Sequence, residues 1–133
     1  EKTFLIHGEL AKTMSTYAGI FREEGDIKKG LEDIAQLEER YLNLGLSSPS
    51  LHMNYELMNA LELEHMFDVA YSIARGALLR EESRGAHFRT DHPKRDDAKW
   101  LRHSIARLKA DGTPDISYRD VVITRHKPME RTY

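Results

Sequence analysis

Arg80, Arg84, Arg89 and Arg95 crowd one polar stretch with Ser83, His87, His92 and the carboxylates Glu81, Glu82, Asp91, Asp96 and Asp97. Planar guanidinium forks suit carboxylates and phosphates, so one reading is contact with an anionic substrate. Ser83 beside Arg84 and His87 can be drawn as a nucleophile with a base, but no backing acid stands at a fixed spacing. His87, His92 and Asp91 can be drawn as a small nitrogen–oxygen metal site. Pairing within a charged surface loop explains the same residues without either chemistry. A stretch this polar has little hydrophobic reason to be ordered. It must be held by ion pairs and hydrogen bonds, within the chain or to a partner. The expectation is docking against a neighbouring domain, with Arg84, His87, Arg89, Arg95, Asp96 and Asp97 at the contact. No catalytic, cofactor-binding or metal-ligating residue is assigned.

Other candidates carry less. Glu62 and Glu64 are two apart on a helix and so point to different faces. Glu23-Glu24 and Asp96-Asp97 read as caps or solvated charges. His65 reads as a hydrogen-bonded interface or core histidine. His7, His52, His103 and His126 have no partner at ligand spacing. Met14, Met58 and Met66 read as core packing. The eight glycines are too dispersed for a phosphate-cradling motif. The chain is therefore not expected to bind a nucleotide by itself.

Elements on either side must position the polar stretch. Leu10, Met14, Tyr17 and Phe21 are spaced 4, 3 and 4, which predicts a first helix over 7–21. Gly25 is expected to end it in a left-handed conformation, and Asp26 to cap the next helix. The second helix is predicted over 27–44, with Ile27, Leu31, Ile34, Tyr41 and Leu44 on one face and charges on the other. Gly45 stops it, and 46–53 is a loop. The third helix is predicted from Asn54 to Leu79. Apolar residues nearly encircle it, so more than one neighbour must bury it: either it is central to the bundle, or part of its surface is meant for another domain. Pro93 ends helical structure in the polar stretch. Segments 100–110 and 115–125 read as strands around Asp111-Gly112-Thr113-Pro114, with Val121-Val122-Ile123-Thr124 favouring a strand. The expected fold is mainly α: a three-helix up-down, spectrin-repeat-like bundle over about 7–80, a charged loop over 81–100, and a small β-hairpin or extended tail over 101–133.

Composition sets the outer limits. A chain of 133 residues suits one domain and can bury a core without disulfides. With no cysteine it cannot form a disulfide, a thiolate zinc site or its own iron–sulfur cluster. The formal net charge of −2, with 32% charged residues, argues against nucleic-acid binding. No apolar run approaches the ~20 residues of a membrane span. The chain starts at Glu1 rather than Met and is read as a piece of a longer protein.

Glu82-Ser83-Arg84-Gly85-Ala86-His87, then Arg89, Asp91, Pro93, Arg95-Asp96-Asp97 and Trp100, closely resembles the C-terminal region of the succinate dehydrogenase/fumarate reductase flavoprotein subunit. Gly19-Ile20-Phe21-Arg22 followed by Gly30-Leu31 is similar to the family's entry into this region. Arg131-Thr132-Tyr133 resembles the end of the succinate dehydrogenase chain. The hairpin after Trp100 and this ending place the resemblance closer to succinate dehydrogenase. The resemblance implies a parent that binds FAD, oxidises succinate to fumarate and passes electrons to an iron–sulfur subunit. The family's flavin and substrate residues belong to earlier domains, so none is carried onto this chain. It is expected to be a structural, docking piece, inactive alone. Its implied partners are the FAD-binding domain of the same chain and the iron–sulfur subunit. Its implied location is cytoplasmic, or peripheral on the cytoplasmic (matrix) face of a membrane. The alternatives are a fumarate reductase or L-aspartate oxidase counterpart, or a free-standing helical interaction module.

Overall fold

The computed structural model describes residues 1–129. Its helices are α1 (Thr3–Tyr17), α2 (Glu24–Tyr41), α3 (Tyr55–Leu79) and the single-turn α4 (Asp97–Trp100). Strands β1 (Phe21–Arg22) and β2 (Phe88–Arg89) form a short parallel pair. Strands β3 (Arg102–Leu108) and β4 (Pro114–Asp120) form an antiparallel hairpin. The chain is mainly helical with a C-terminal hairpin, as the sequence pattern predicts, and has a short parallel strand pair besides.

The three long helices share one core. Ile6 and Leu10 come from α1, Ile27, Ile34 and Leu37 from α2, and Leu63, Phe67, Ala70, Ala74 and Ala77 from α3. Burying each of the larger side chains stabilises the fold by roughly 1.5–3 kcal/mol. Gly30 lets α1 and α2 approach closely, since a Cβ there would sit 2.7 Å from that of Tyr17. On α3, the Tyr71 hydroxyl donates to Glu38 Oε2 of α2 at 2.8 Å. The hairpin covers another side of α3, where Arg75 Nη1 donates to the Pro114 carbonyl at 3.0 Å. α1, α2 and the hairpin each cover part of the nearly all-apolar helix, while Met58, Leu61, Val69 and Ile73 stay about half exposed.

The helix ends differ from the sequence reading in instructive ways. The first helix lies four residues earlier than 7–21, at Thr3–Tyr17. Buried Thr3 and Ile6 continue the Leu10 stripe upstream, while Phe21 sits outside the helix on an exposed strand. Gly25 is not a stop. It lies in the first turn of α2, with extended Glu23 as the N-cap residue, and Asp26 sits in that turn, where a carboxylate favours the helix dipole. α2 ends at Tyr41 rather than Leu44, though Leu44 still packs on the core. Asn54 caps α3 as its residue type predicts, its Oδ1 accepting from Leu57 N at 3.0 Å.

In the hairpin, Arg102 pairs with Asp120 and Leu108 with Pro114. The connection spans 109–113, with Gly112 at φ 79° and Asp111 Oδ1 accepting from Thr113 N at 2.9 Å. Val121–Thr124 is not strand, despite its β-branched residues, because β3 offers no backbone partner beyond Arg102. The Arg131-Thr132-Tyr133 ending lies outside the described residues.

Candidate functional site

The polar stretch begins where α3 ends. A helix leaves its last carbonyls without intrahelical donors, and the partial negative charge there favours a cation. Arg89 fills that place. Its Nη1 donates to the carbonyls of Ala77 and Leu78, each at 2.9 Å. Its Nε and Nη2 form a fork onto Asp91, at 2.7 Å to Oδ1 and 2.6 Å to Oδ2. The Arg89 residue is only 1% exposed. Asp91 Oδ2 also accepts from the Glu24 amide at 3.2 Å, which ties the start of α2 to the loop. The Arg89 fork holds the Asp91 carboxyl well below the usual carboxylate range.

Glu82 is the second buried charge, with 0% exposure. It accepts from Arg80 Nη1 at 2.7 Å, Arg84 Nε at 2.8 Å, Arg84 Nη2 at 3.1 Å and the Asp96 amide at 2.9 Å. Burial alone would raise its pKa. The bonds from Arg84, the Asp96 amide and Arg80 outweigh burial and leave it lowered. Arg80 continues outward, donating to the carbonyls of Trp100 at 2.9 Å and Arg102 at 2.6 Å. One buried carboxylate therefore connects the end of α3, the loop and the start of the hairpin. The Trp100 ring is buried in edge contact with Tyr118, their centroids 5.3 Å apart.

The outer layer is a chain of pairs. Arg84 Nη2 reaches Asp97 Oδ1 at 2.6 Å, and Arg95 Nη2 reaches Asp97 Oδ2 at 3.0 Å. Arg95 Nη1 donates to the Met129 carbonyl at 2.8 Å. Asp96 caps α4, its Oδ1 accepting from Lys99 N at 3.0 Å. Gly85 takes φ 60° in the tight turn that lets Arg84 and His87 exchange backbone hydrogen bonds of 2.8 and 3.0 Å. Ser83 Oγ accepts from the Arg89 amide at 2.9 Å and donates to the His92 carbonyl at 2.9 Å. Both ring nitrogens of His87 are engaged, by Arg22 and by the Arg80 carbonyl. Ser83 and His87 thus bond to separate partners, and the nucleophile–base drawing has no contact to support it.

The structure gathers Arg84, Arg95 and Asp97 on one partly exposed ion-pair chain and assigns Asp96 to a helix cap. Arg89 and His87 point inward. Arg89 has no surface to offer a partner, so its part in any docking is to hold the loop. Arg22 stands in the Gly19-Ile20-Phe21-Arg22 element, but nothing in the sequence marks it as a partner of His87. It lies 65 positions from the histidine it contacts, and no spacing rule links the two. β1 brings it there by pairing Phe21 with Phe88 and Arg22 with Arg89. Outside that pair the rings of Phe21 and Phe88 meet edge to face, centroids 5.6 Å apart, and Phe21 is 71% exposed. His65, expected at an interface or in the core, is exposed on α3. It borders an apolar groove of about 440 Å³ between α1 and α3, lined by Leu10, Ala11, Met14, Met66, Val69 and Ile73.

A helical bundle closed by such an ion-paired loop matches the C-terminal region of a flavoprotein subunit. A family model described as "Fumarate reductase flavoprotein C-term" matches residues 7–133. The fumarate reductase flavoprotein subunit of Mycobacterium tuberculosis is 43% identical over 96% of this chain, which covers 22% of that subunit. The succinate dehydrogenase flavoprotein subunit of Coxiella burnetii is also 43% identical, over 91% of this chain and 20% of that subunit. A mutant E. coli quinol fumarate reductase structure superposes with a TM-score of 0.92 at 35% identity, covering 98% of this chain and 23% of that one. The chain belongs to the fumarate reductase/succinate dehydrogenase flavoprotein family and spans about a fifth of the length of the curated relatives it matches.

Proposed function

We propose that this chain is the C-terminal docking domain of a flavoprotein subunit that interconverts succinate and fumarate. Its inner charges hold the domain's own loop, and its outer surfaces seat the flavin-binding part of the same polypeptide. The observation that carries this reading is the contrast between the two. Among the described residues no buried side-chain nitrogen or oxygen lacks a hydrogen bond. Apolar surface, by contrast, is left open in the α1/α3 groove and at Phe21–Phe88. Clustered exposed apolar surface marks a contact site. Relatives several times longer supply chain to cover it. Arg84, Arg95 and Asp97 then form the polar rim of the contact, with Asp96 fixing the short helix that carries Asp97.

The parent's cofactor is FAD in this proposal, and its redox partner is an iron–sulfur subunit. The residues of this chain do not fit the flavin themselves. They offer no glycine-rich phosphate cradle, and the guanidinium groups of Arg80, Arg84 and Arg89 are committed to Glu82, Asp91 and Asp97. No catalytic step is assigned to them. The proposed direction in the parent is succinate oxidation. Fumarate reduction is the alternative, because the two kinds of relative match at the same 43% identity. Among the described residues no helix is long and apolar enough to cross a membrane. A peripheral place on the cytoplasmic or matrix face, within a membrane-anchored complex, follows from the same proposal.

Val69→Asp tests it. Val69 lines the groove and is 57% exposed, so the substitution should cost the isolated chain less than about 1 kcal/mol. In the full-length subunit it should place a charge in a desolvated contact and lower the subunit's stability and protease resistance. A full-length variant as stable and protease-resistant as the wild type contradicts the groove's role.

A further inference from the structure

His87 joins two segments that are distant in sequence. Its Nε2 lies 3.0 Å from the Arg80 carbonyl oxygen, which can only accept, so Nε2 carries the proton. Its Nδ1 lies 2.9 Å from Arg22 Nη1, which can only donate, so Nδ1 is the acceptor. These neighbours fix a neutral imidazole in one tautomer. A proton added to Nδ1 would turn an N–H toward another N–H.

The surroundings oppose that proton as well. Cationic groups act on the ring from β1 (Arg22), from β2 (Arg89) and from the end of α3 (Arg80). The carboxylates of the loop are occupied elsewhere: Glu82 by Arg80 and Arg84, Asp91 by Arg89, Asp97 by Arg84 and Arg95. Glu81 pairs with Lys99, and Glu24 at the start of α2 with Lys28. None of these carboxylates bonds to the His87 ring. Burial is the largest influence. The Arg80 carbonyl acts against it, the three arginines act with it, and the net effect holds His87 below its ordinary value of 6.5.

We propose that the Arg22–His87 contact is a pH-sensitive clasp, in which neutral His87 holds the α1–α2 connection against the loop and protonation of Nδ1 releases it. The clasp is small enough to open locally. Beyond the histidine contact it consists of the two-residue parallel pair with its Phe21–Phe88 ring contact, the Thr90 amide and Oγ1 donating to the Arg22 carbonyl at 2.9 and 3.3 Å, and the Glu24 amide donating to Asp91 Oδ2 at 3.2 Å. The open state binds the proton more readily than the closed one. Closure is therefore fully favoured above pH 6.5, weakens as pH falls from there to the lowered value of the closed state, and weakens no further below it. Opening parts Phe21 from Phe88. That the clasp thereby controls a docking surface rests on the function proposed above, whereas the opening itself does not.

NMR on the isolated chain tests the opening without any partner. At pH 7.5 the ring nitrogen shifts of His87 should report the Nε2–H tautomer. The Thr90 amide protection factor, corrected for intrinsic exchange, should fall several-fold between pH 7.5 and 5, while those of Leu63 and Phe67 in the core of α3 hold. His87→Gln retains a donor for the Arg80 carbonyl and cannot titrate, so it should abolish the pH dependence at Thr90. An Nδ1–H tautomer, a Thr90 protection factor constant over this range, or an equal fall in the glutamine variant would overturn the clasp. If the variant does not fold, the tautomer and the wild-type Thr90 profile decide alone.

Discussion

Arg89→Ala is expected to lower the stability of the chain by about 3–5 kcal/mol, the range for removing one partner of a buried ion pair. Three losses combine. The carbonyls of Ala77 and Leu78 lose their donor, Asp91 loses its fork, and a cavity opens where the side chain was 99% covered. Asp91 keeps some access to water, which places the expected loss toward the lower end. Arg89→Lys should give an intermediate loss, because one ammonium cannot serve both the helix end and the carboxylate fork. Urea unfolding followed by circular dichroism measures each variant. A loss below about 1 kcal/mol for Arg89→Ala would mean that the pair is not the fastening the geometry describes. Acid separates this pair from His87. The Asp91 pKa is depressed, so its contribution is complete well above the ordinary 3.8 and is lost progressively as pH falls from there through its lower folded value. Weakening that begins as pH falls below 6.5 must then come from another group, and His87 is held below that ordinary value by burial and the neighbouring arginines.

Glu82→Ala is expected to cost about 3–5 kcal/mol as well, with a different signature. Without the carboxylate, Arg80 loses its carboxylate partner, Arg84 is left with Asp97 alone, and the Asp96 amide loses its acceptor. Arg80 also anchors the hairpin through the Trp100 and Arg102 carbonyls. The hairpin should therefore loosen before the bundle does. Trp100 is the sole tryptophan, so its emission should shift to the red while the helical signal persists. Glu82→Gln should fall short of the wild type too, because its amide NH2 must face one of the surrounding donors. Unchanged emission together with unchanged stability in Glu82→Ala would contradict the connecting role.

The helices were largely legible before the structure. α2 and α3 show a continuous helical stripe, and Asn54 is a strong cap, so their positions follow from period and residue type. The first helix lies four residues upstream of the position its stripe suggests, because Phe21 continues the Leu10–Met14–Tyr17 spacing by coincidence. The buried Thr3 and Ile6 at its other end were the true guide. The parallel pair of β1 and β2 could not be read. Two residues on each side carry no periodicity, and their partners lie 67 positions apart. The polar stretch was recognisable as ordered by ion pairs, but not which charges go inside. Glu82 and Arg89 look in sequence like exposed Glu81 and half-buried Arg95. Burial of a charge depends on a partner at the right distance in three dimensions, and residue type does not encode that.

The central claim is that this domain exists to dock on the flavin-binding part of its own polypeptide. Hydroxyl-radical footprinting of the isolated chain and of the full-length subunit, compared at Phe21, Met14 and Met66, addresses it most directly. Phe21 stands open, and Met14 and Met66 line the groove. The account predicts a several-fold loss of reactivity at these side chains in the full-length subunit, with exposed Leu108 on the hairpin unchanged. Equal reactivity in the two proteins at all three positions would contradict it.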